Sequence, residues 1–282
     1  MGQRDTPWGR LWQWFIEPLH RAQEESRSYL ASSAGQRFDY KTLSILVLTA
    51  VSLTLQHFLG VDYGYLRAAR FLQLIGLEGL ADSFAAQLTQ AGERSLPRLI
   101  WWVAVCVTTY FVLPALFLRF GLRERLSDYG IKPYGALAGW PIYVAMFAVM
   151  VPLVALMSGN EHFQQTYPFY ALARNEPLWP TFWCWEAIYA VQFFALEFFF
   201  RGFLLHGIRP RFGAYAIPVM VVPYCMIHFY KPMPEAFASI VAGLALGYMS
   251  LRTRSIWLGA AIHVTVALSM DFASLWQQGR LG

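Results

Sequence analysis

Long apolar runs, most without a central charge, recur along the chain at Leu43 to Leu59, Leu99 to Leu118, Leu137 to Met157, Phe182 to Phe200, Ala214 to Phe229, Ala236 to Leu251 and Ile256 to Trp276. A helix needs about 20 apolar residues to cross a bilayer core about 30 Å thick, and these runs come close to that length. The pattern predicts about seven transmembrane helices. The fifth and sixth are short and separated only by Tyr230-Lys231-Pro232-Met233-Pro234-Glu235, which reads as a helical hairpin whose proline pair ends one helix and begins the next.

Two stretches carry a different pattern. Between Tyr65 and Ala91, Arg67, Arg70, Glu78 and Asp82 interrupt a rough helical spacing of Leu72, Ile75, Leu80, Phe84 and Leu88. That mixture predicts one interfacial amphipathic helix and not a span. Trp8 to Leu19 mixes Trp, Phe and Arg in the same way and lacks the uninterrupted apolar core and small-residue cleavage site of a signal peptide. It is expected to lie on the membrane and to stay attached.

Composition agrees with the pattern. With 57% hydrophobic, 17% aromatic and only 14% charged residues, a soluble domain could not bury its apolar surface. The expected fold class is therefore all-α, a polytopic integral membrane helical bundle with interfacial amphipathic helices. Residues 1–42 read as a cytoplasmic interfacial segment and 43–282 as one transmembrane domain, with no internal repeat or long linker.

The net charge of +5 changes the picture only as a topology signal. With the N-terminus inside, 15 Lys and Arg fall on the cytoplasmic side and 7 outside, Arg94, Arg98 and Arg174 among the latter, as basic loops prefer. Nucleic acid is not an expected partner; the lipid bilayer is. The short loops point to a bacterial inner (plasma) membrane with a cytoplasmic N-terminus. Cys106, Cys184 and Cys225 all fall inside predicted spans and form no disulfide framework.

Against this apolar background an ionisable side chain costs at least about 2.5–3.5 kcal/mol at the middle of a span, so each is a candidate for function. Glu197, His228, His263 and Asp271 stand out, with Glu186 about three turns before Glu197 on the same face. Glu197 and Arg201 are four residues apart and can form an ion pair, which serves equally as a structural clamp or as part of a site. Two histidines and an intramembrane glutamate supply ligands and base for activating water, with or without Zn²⁺, for which His228 and His263 are the candidate ligands. No His-Glu-x-x-His helix is present, which excludes ordinary zincin chemistry.

The order of these residues resembles the CAAX protease and bacteriocin-processing family of intramembrane proteases, which includes the type II CAAX prenyl endopeptidases. The likeness covers about the last 100 residues, with a core at 181–276. The family's Glu-Glu-x-x-x-Arg-Gly motif resembles Leu196-Glu197-Phe198-Phe199-Phe200-Arg201-Gly202. Its aromatic-to-His motif is similar to Tyr224 or Cys225 leading to His228. Its Gly-x-x-x-Gly, Arg-Thr-x-Ser and final His resemble Gly243 to Gly247, Arg252 to Ser255 and His263. Gly243 and Gly247 also suit close helix packing in lipid whatever the function.

This chain departs from the family at two positions. Leu196 stands where the family has the first Glu, generally taken as the catalytic base, and Ala267 where it usually has Asn. Glu186, Glu235 and Asp271 are the candidate supporting carboxylates. The resemblance implies an endopeptidase acting on a membrane-associated or lipid-modified peptide. Glu197 would be the base, oriented by Arg201, while His228 and His263 would polarise the carbonyl or bind metal. The alternative is a catalytically degenerate membrane scaffold or peptide-binding protein. A transporter is disfavoured because paired repeats with broken helices are missing.

Overall fold

The computed structural model describes residues 12–132, 135–173 and 175–281, and every regular element among them is helical. Trp8 to Leu11, Arg4, Arg10 and Arg174, used above for the interfacial segment and the topology, lie outside the described residues. Helix α1 is Glu17–Ala31, preceded by a π-helical turn at Trp12–Ile16 that exposes Trp12, Trp14 and Phe15. Helix α2 is Tyr40–Gly60, with Asp39 in front accepting from the Thr42 amide and hydroxyl, both at 2.9 Å. That carboxylate meets the donors left open at a helix start.

Tyr65 to Ala91 forms two helices where one was expected: α3, Gly64–Leu74, and α4, Glu78–Gln90. Gly76 adopts φ +84°, a conformation open to glycine, and its amide caps the Gln73 carbonyl. Apolar spacing carries the register of a helix but not this break. Phe71, Leu74, Ile75, Leu77 and Leu80 remain exposed, as an interfacial pair of helices requires.

Among the described residues six helices are long and apolar enough to cross a membrane: α2, α5 (Leu96–Gly121), α6 (Trp140–Ser158), α8 (Thr181–Met226), α9 (Met233–Thr253) and α10 (Trp257–Gln277). Short helix α7, Glu161–Thr166, follows α6. The expected fourth and fifth spans are the two ends of α8. Its turns widen to π at Phe198–His206, narrow to 3-10 at Gly213–Tyr215, and enclose Pro210 and Pro223. The expected proline hairpin forms between α8 and α9, with Pro232 and Pro234 at the start of α9. Val144, Val149, Leu153 and Leu156 on α6 are exposed, as lipid-facing residues are.

The chain forms two compact units that interleave along the sequence. The first comprises residues 1–49, 115–138 and 197–257. In it, Lys41 Nζ meets Glu124 Oε1 at 2.7 Å, and the Tyr129 hydroxyl donates to Glu124. Burial first, then the hydrogen bond and charge of Glu124, push the Tyr129 phenol well above its ordinary range. Gly243 packs on Val221 and Tyr224, and Gly247 on Ile217 and Met220. A Cβ at Gly247 would stand 2.9 Å from Met220 and 3.1 Å from Ile217. Gly247→Val is therefore expected to cost about 1–3 kcal/mol by overpacking, measured as a lowered unfolding midpoint in detergent, whereas an unchanged midpoint would mean the helices are not pressed together there.

The second unit comprises residues 50–114, 139–196 and 258–282. Its core gathers Leu99, Val103, Phe182, Trp185, Tyr189 and Leu275, with Phe169 stacked on Trp185 and Tyr189. The connection after α7 is tied down by side chains: Arg94 donates to the carbonyls of Gln165, Thr166, Pro168 and Phe169, and Arg280 to Leu172.

Candidate active site

Four of the first unit's polar and aromatic residues form a continuous line. Four-residue spacing on α8 places Arg201 Nη1 2.8 Å from Glu197 Oε1, and the side chains are 0% and 1% exposed. The π-helical turns begin immediately after Glu197 and carry Arg201. Such widened turns often occur at functional positions. The Arg201 guanidinium stands 4.0 Å from the centre of the Tyr224 ring, and the Tyr224 and His228 rings are 4.9 Å apart in an edge-on arrangement. A cation over an aromatic face, away from water, is strongly held.

His228 Nδ1 lies 2.8 Å from the Tyr224 carbonyl oxygen, which only accepts, so Nδ1 carries the proton of the neutral ring. The lone pair is then on Nε2, the position from which a histidine acts as base or ligand. Gly202, next to Arg201 in the motif, is explained by proximity: a Cβ there would stand 2.6 Å from the Tyr129 carbonyl oxygen. The backbone of Arg201 is also held, its carbonyl accepting from Ser250 at 3.4 Å.

The remaining candidates are placed as follows. His263, in the second unit, stacks on Phe193 with ring centres 5.6 Å apart and an interplanar angle of 12°. Glu186 and Asp271, in the same unit, share a side-chain hydrogen bond. Both Asp271 oxygens also accept from the Phe169 amide, at 3.2 and 3.3 Å. Glu235 pairs with Lys231 at 2.6 Å at the start of α9. Leu196 and Ala267, the two departures, are both buried, Ala267 in the apolar core of its unit.

Asp271→Ala would leave the half-buried Phe169 amide without its carboxylate, a loss of about 1–3 kcal/mol. Hydrogen exchange at Phe169 is expected to accelerate by about 5- to 150-fold, each 1.4 kcal/mol being a factor of ten. Unchanged exchange would mean that the connection is held by its other side-chain ties, those of Arg94 and Arg280 among them.

Reading by motif names Tyr224 only as an aromatic before His228 and passes over His206, a buried residue whose Nε2 lies 3.2 Å from Ser250 Oγ. The four-residue step from Tyr224 to His228, and the His at the end of Phe203-Leu204-Leu205-His206, were the available signals.

A Zn²⁺ site takes three or four protein ligands. Among the described residues no group of three or more His, Cys, Asp or Glu is placed to hold a metal ion.

Residues 177–269, about a third of the chain, match the family model described as Type II CAAX prenyl endopeptidase Rce1-like. The match contains Glu197, Arg201, Tyr224, His228 and His263, whereas Asp271 lies just beyond it. Among curated proteins and solved structures nothing matches the chain. The six apolar helices mark an integral membrane protein, and its segment 177–269 is similar to the type II CAAX prenyl endopeptidase Rce1-like family.

Proposed function

We propose that the protein is an intramembrane endopeptidase that cuts a membrane-associated or lipid-modified peptide, with Glu197 as general base. The observation carrying this reading is the fully buried Glu197–Arg201 ion pair, set in π-helical turns and continued through Tyr224 to His228 inside the family segment. A charged pair in an apolar span is expensive to keep without a use.

Glu197 takes a proton from water as the oxygen attacks the scissile carbonyl, and returns it to the leaving amine as the C–N bond breaks. Arg201 orients the carboxylate. The oxyanion formed in between needs a positioned donor. His228 and His263 are assigned to that task by their places in the family motif. The basic loops support a cytoplasmic N-terminus, and the short loops a bacterial inner membrane.

A second reading has its own support. Leu196 and Ala267 put buried apolar side chains where the family has Glu and Asn, which suits a degenerate member that binds peptides without cutting them. The test is a panel of lipidated and unmodified membrane peptides incubated with the protein in nanodiscs, with products read by mass. New termini produced by wild type and lost in Glu197→Gln support the protease. Peptide retained uncut by wild type, with Glu197→Gln binding equally well, supports the scaffold.

A further inference from the structure

Away from the Glu197 line, the first unit holds an open cleft of about 340 Å³ where α1 meets the end of α9. Its lining includes Arg21, Arg209, Arg252 and Arg254 together with Glu17 and Glu25. The carboxylates are already committed: Glu17 pairs with Arg21, and Glu25 pairs with Arg209 at 2.5 Å and with Arg254 at 3.4 Å. Four guanidinium groups against two carboxylates leave an excess of two positive charges. Arg252 is turned onto an aromatic ring, its guanidinium 3.2 Å from the centre of Trp14, and it donates to the Trp14 carbonyl.

The rim of the cleft is built for a membrane surface. Trp12 and Phe15 are 53% and 49% exposed beside it, and Phe15 stacks against Tyr248. Exposed Trp and Phe next to clustered Arg are the side chains that settle at the headgroup level of a bilayer. Guanidinium groups bind phosphate oxygens in a two-pronged fashion, and basic pockets at the ends of spans take lipid headgroups.

We propose that this cleft binds the phosphate of an anionic membrane phospholipid, with Arg252 and Arg254 as its principal donors and Trp12, Trp14 and Phe15 against the acyl chains. Binding there ties α1 to the end of α9. It engages none of Glu197, Arg201, His228 or His263, so it stands whether or not the protein cleaves peptides.

The test titrates phosphatidylglycerol onto the full chain in neutral detergent and counts bound lipid by native mass spectrometry. Arg252→Gln/Arg254→Gln is expected to weaken binding by about tenfold, two arginines being removed from a headgroup site. Arg37→Gln/Arg125→Gln removes the same charge from exposed positions outside the cleft, and is expected to change binding by less than about twofold because such charges are screened. Excess inorganic phosphate is expected to leave the lipid in place.

Equal weakening in both double variants would reduce the effect to bulk attraction and overturn the site. Displacement by inorganic phosphate would make it a site for soluble phosphate and overturn the lipid assignment. Unchanged binding in Arg252→Gln/Arg254→Gln overturns the proposal outright. Should that variant fail to fold, Arg252→Gln alone carries the test, with about a threefold loss expected and no loss overturning it.

Discussion

Glu197→Gln is expected to lower peptide cleavage by roughly 10²–10⁴-fold, the usual contribution of a positioned general base. The amide keeps the size of the side chain but cannot take the proton from water. It also leaves the Arg201 guanidinium buried without its counter-charge, so lost activity alone would not separate a missing base from a damaged fold. Glu197→Gln/Arg201→Met separates them. Replacing both members of a buried pair with uncharged groups of similar volume is often close to neutral for stability. The double variant is therefore expected to unfold near the wild-type midpoint and remain inactive. Activity recovered along with stability would make the pair a clamp and remove Glu197 from the chemistry.

Arg201→Ala carries the largest expected loss of stability. It strands the Glu197 carboxylate, 1% exposed, and removes the cation from the Tyr224 ring. Breaking a buried pair from one side costs about 3–5 kcal/mol, with the missing ring contact adding about 0.5–2 kcal/mol. The unfolding midpoint in detergent is expected to fall accordingly, and Arg201→Lys, which keeps the charge, is expected to recover part of the loss. A midpoint within experimental error of wild type in Arg201→Ala would mean that the pair is not buried as described.

Much of this was legible in the chain because lipid is a stringent solvent. Long apolar runs mark spans, and the four-residue step from Glu197 to Arg201 foretells their pairing without further information. The Gly243 and Gly247 spacing likewise foretells close packing, which Met220, Ile217, Val221 and Tyr224 supply. What escaped the sequence depends on backbone detail or distant partners. A break at Gly76 leaves the apolar spacing of α3 and α4 in step, so two helices read as one.

The ends of α8 read as separate spans because Arg201, Arg209 and Arg211 interrupt the apolar run between them, whereas the helix continues through that stretch with turns of altered pitch. Asp271 also accepts from the Phe169 amide, 102 residues away, a pairing that no local pattern encodes. Glu235 is the opposite case. Its partner Lys231 stands only four residues before it, across the turn that opens α9, so local spacing alone puts the pair within reach.

The most direct test of the central claim is product analysis by mass spectrometry for a membrane-peptide panel incubated with folded protein in nanodiscs, comparing wild type with Glu197→Gln/Arg201→Met and with His263→Ala. A protease that uses this constellation gives a discrete new pair of termini with wild type and none with either variant. The same cleavage in all three samples, or none from folded wild type, would contradict it.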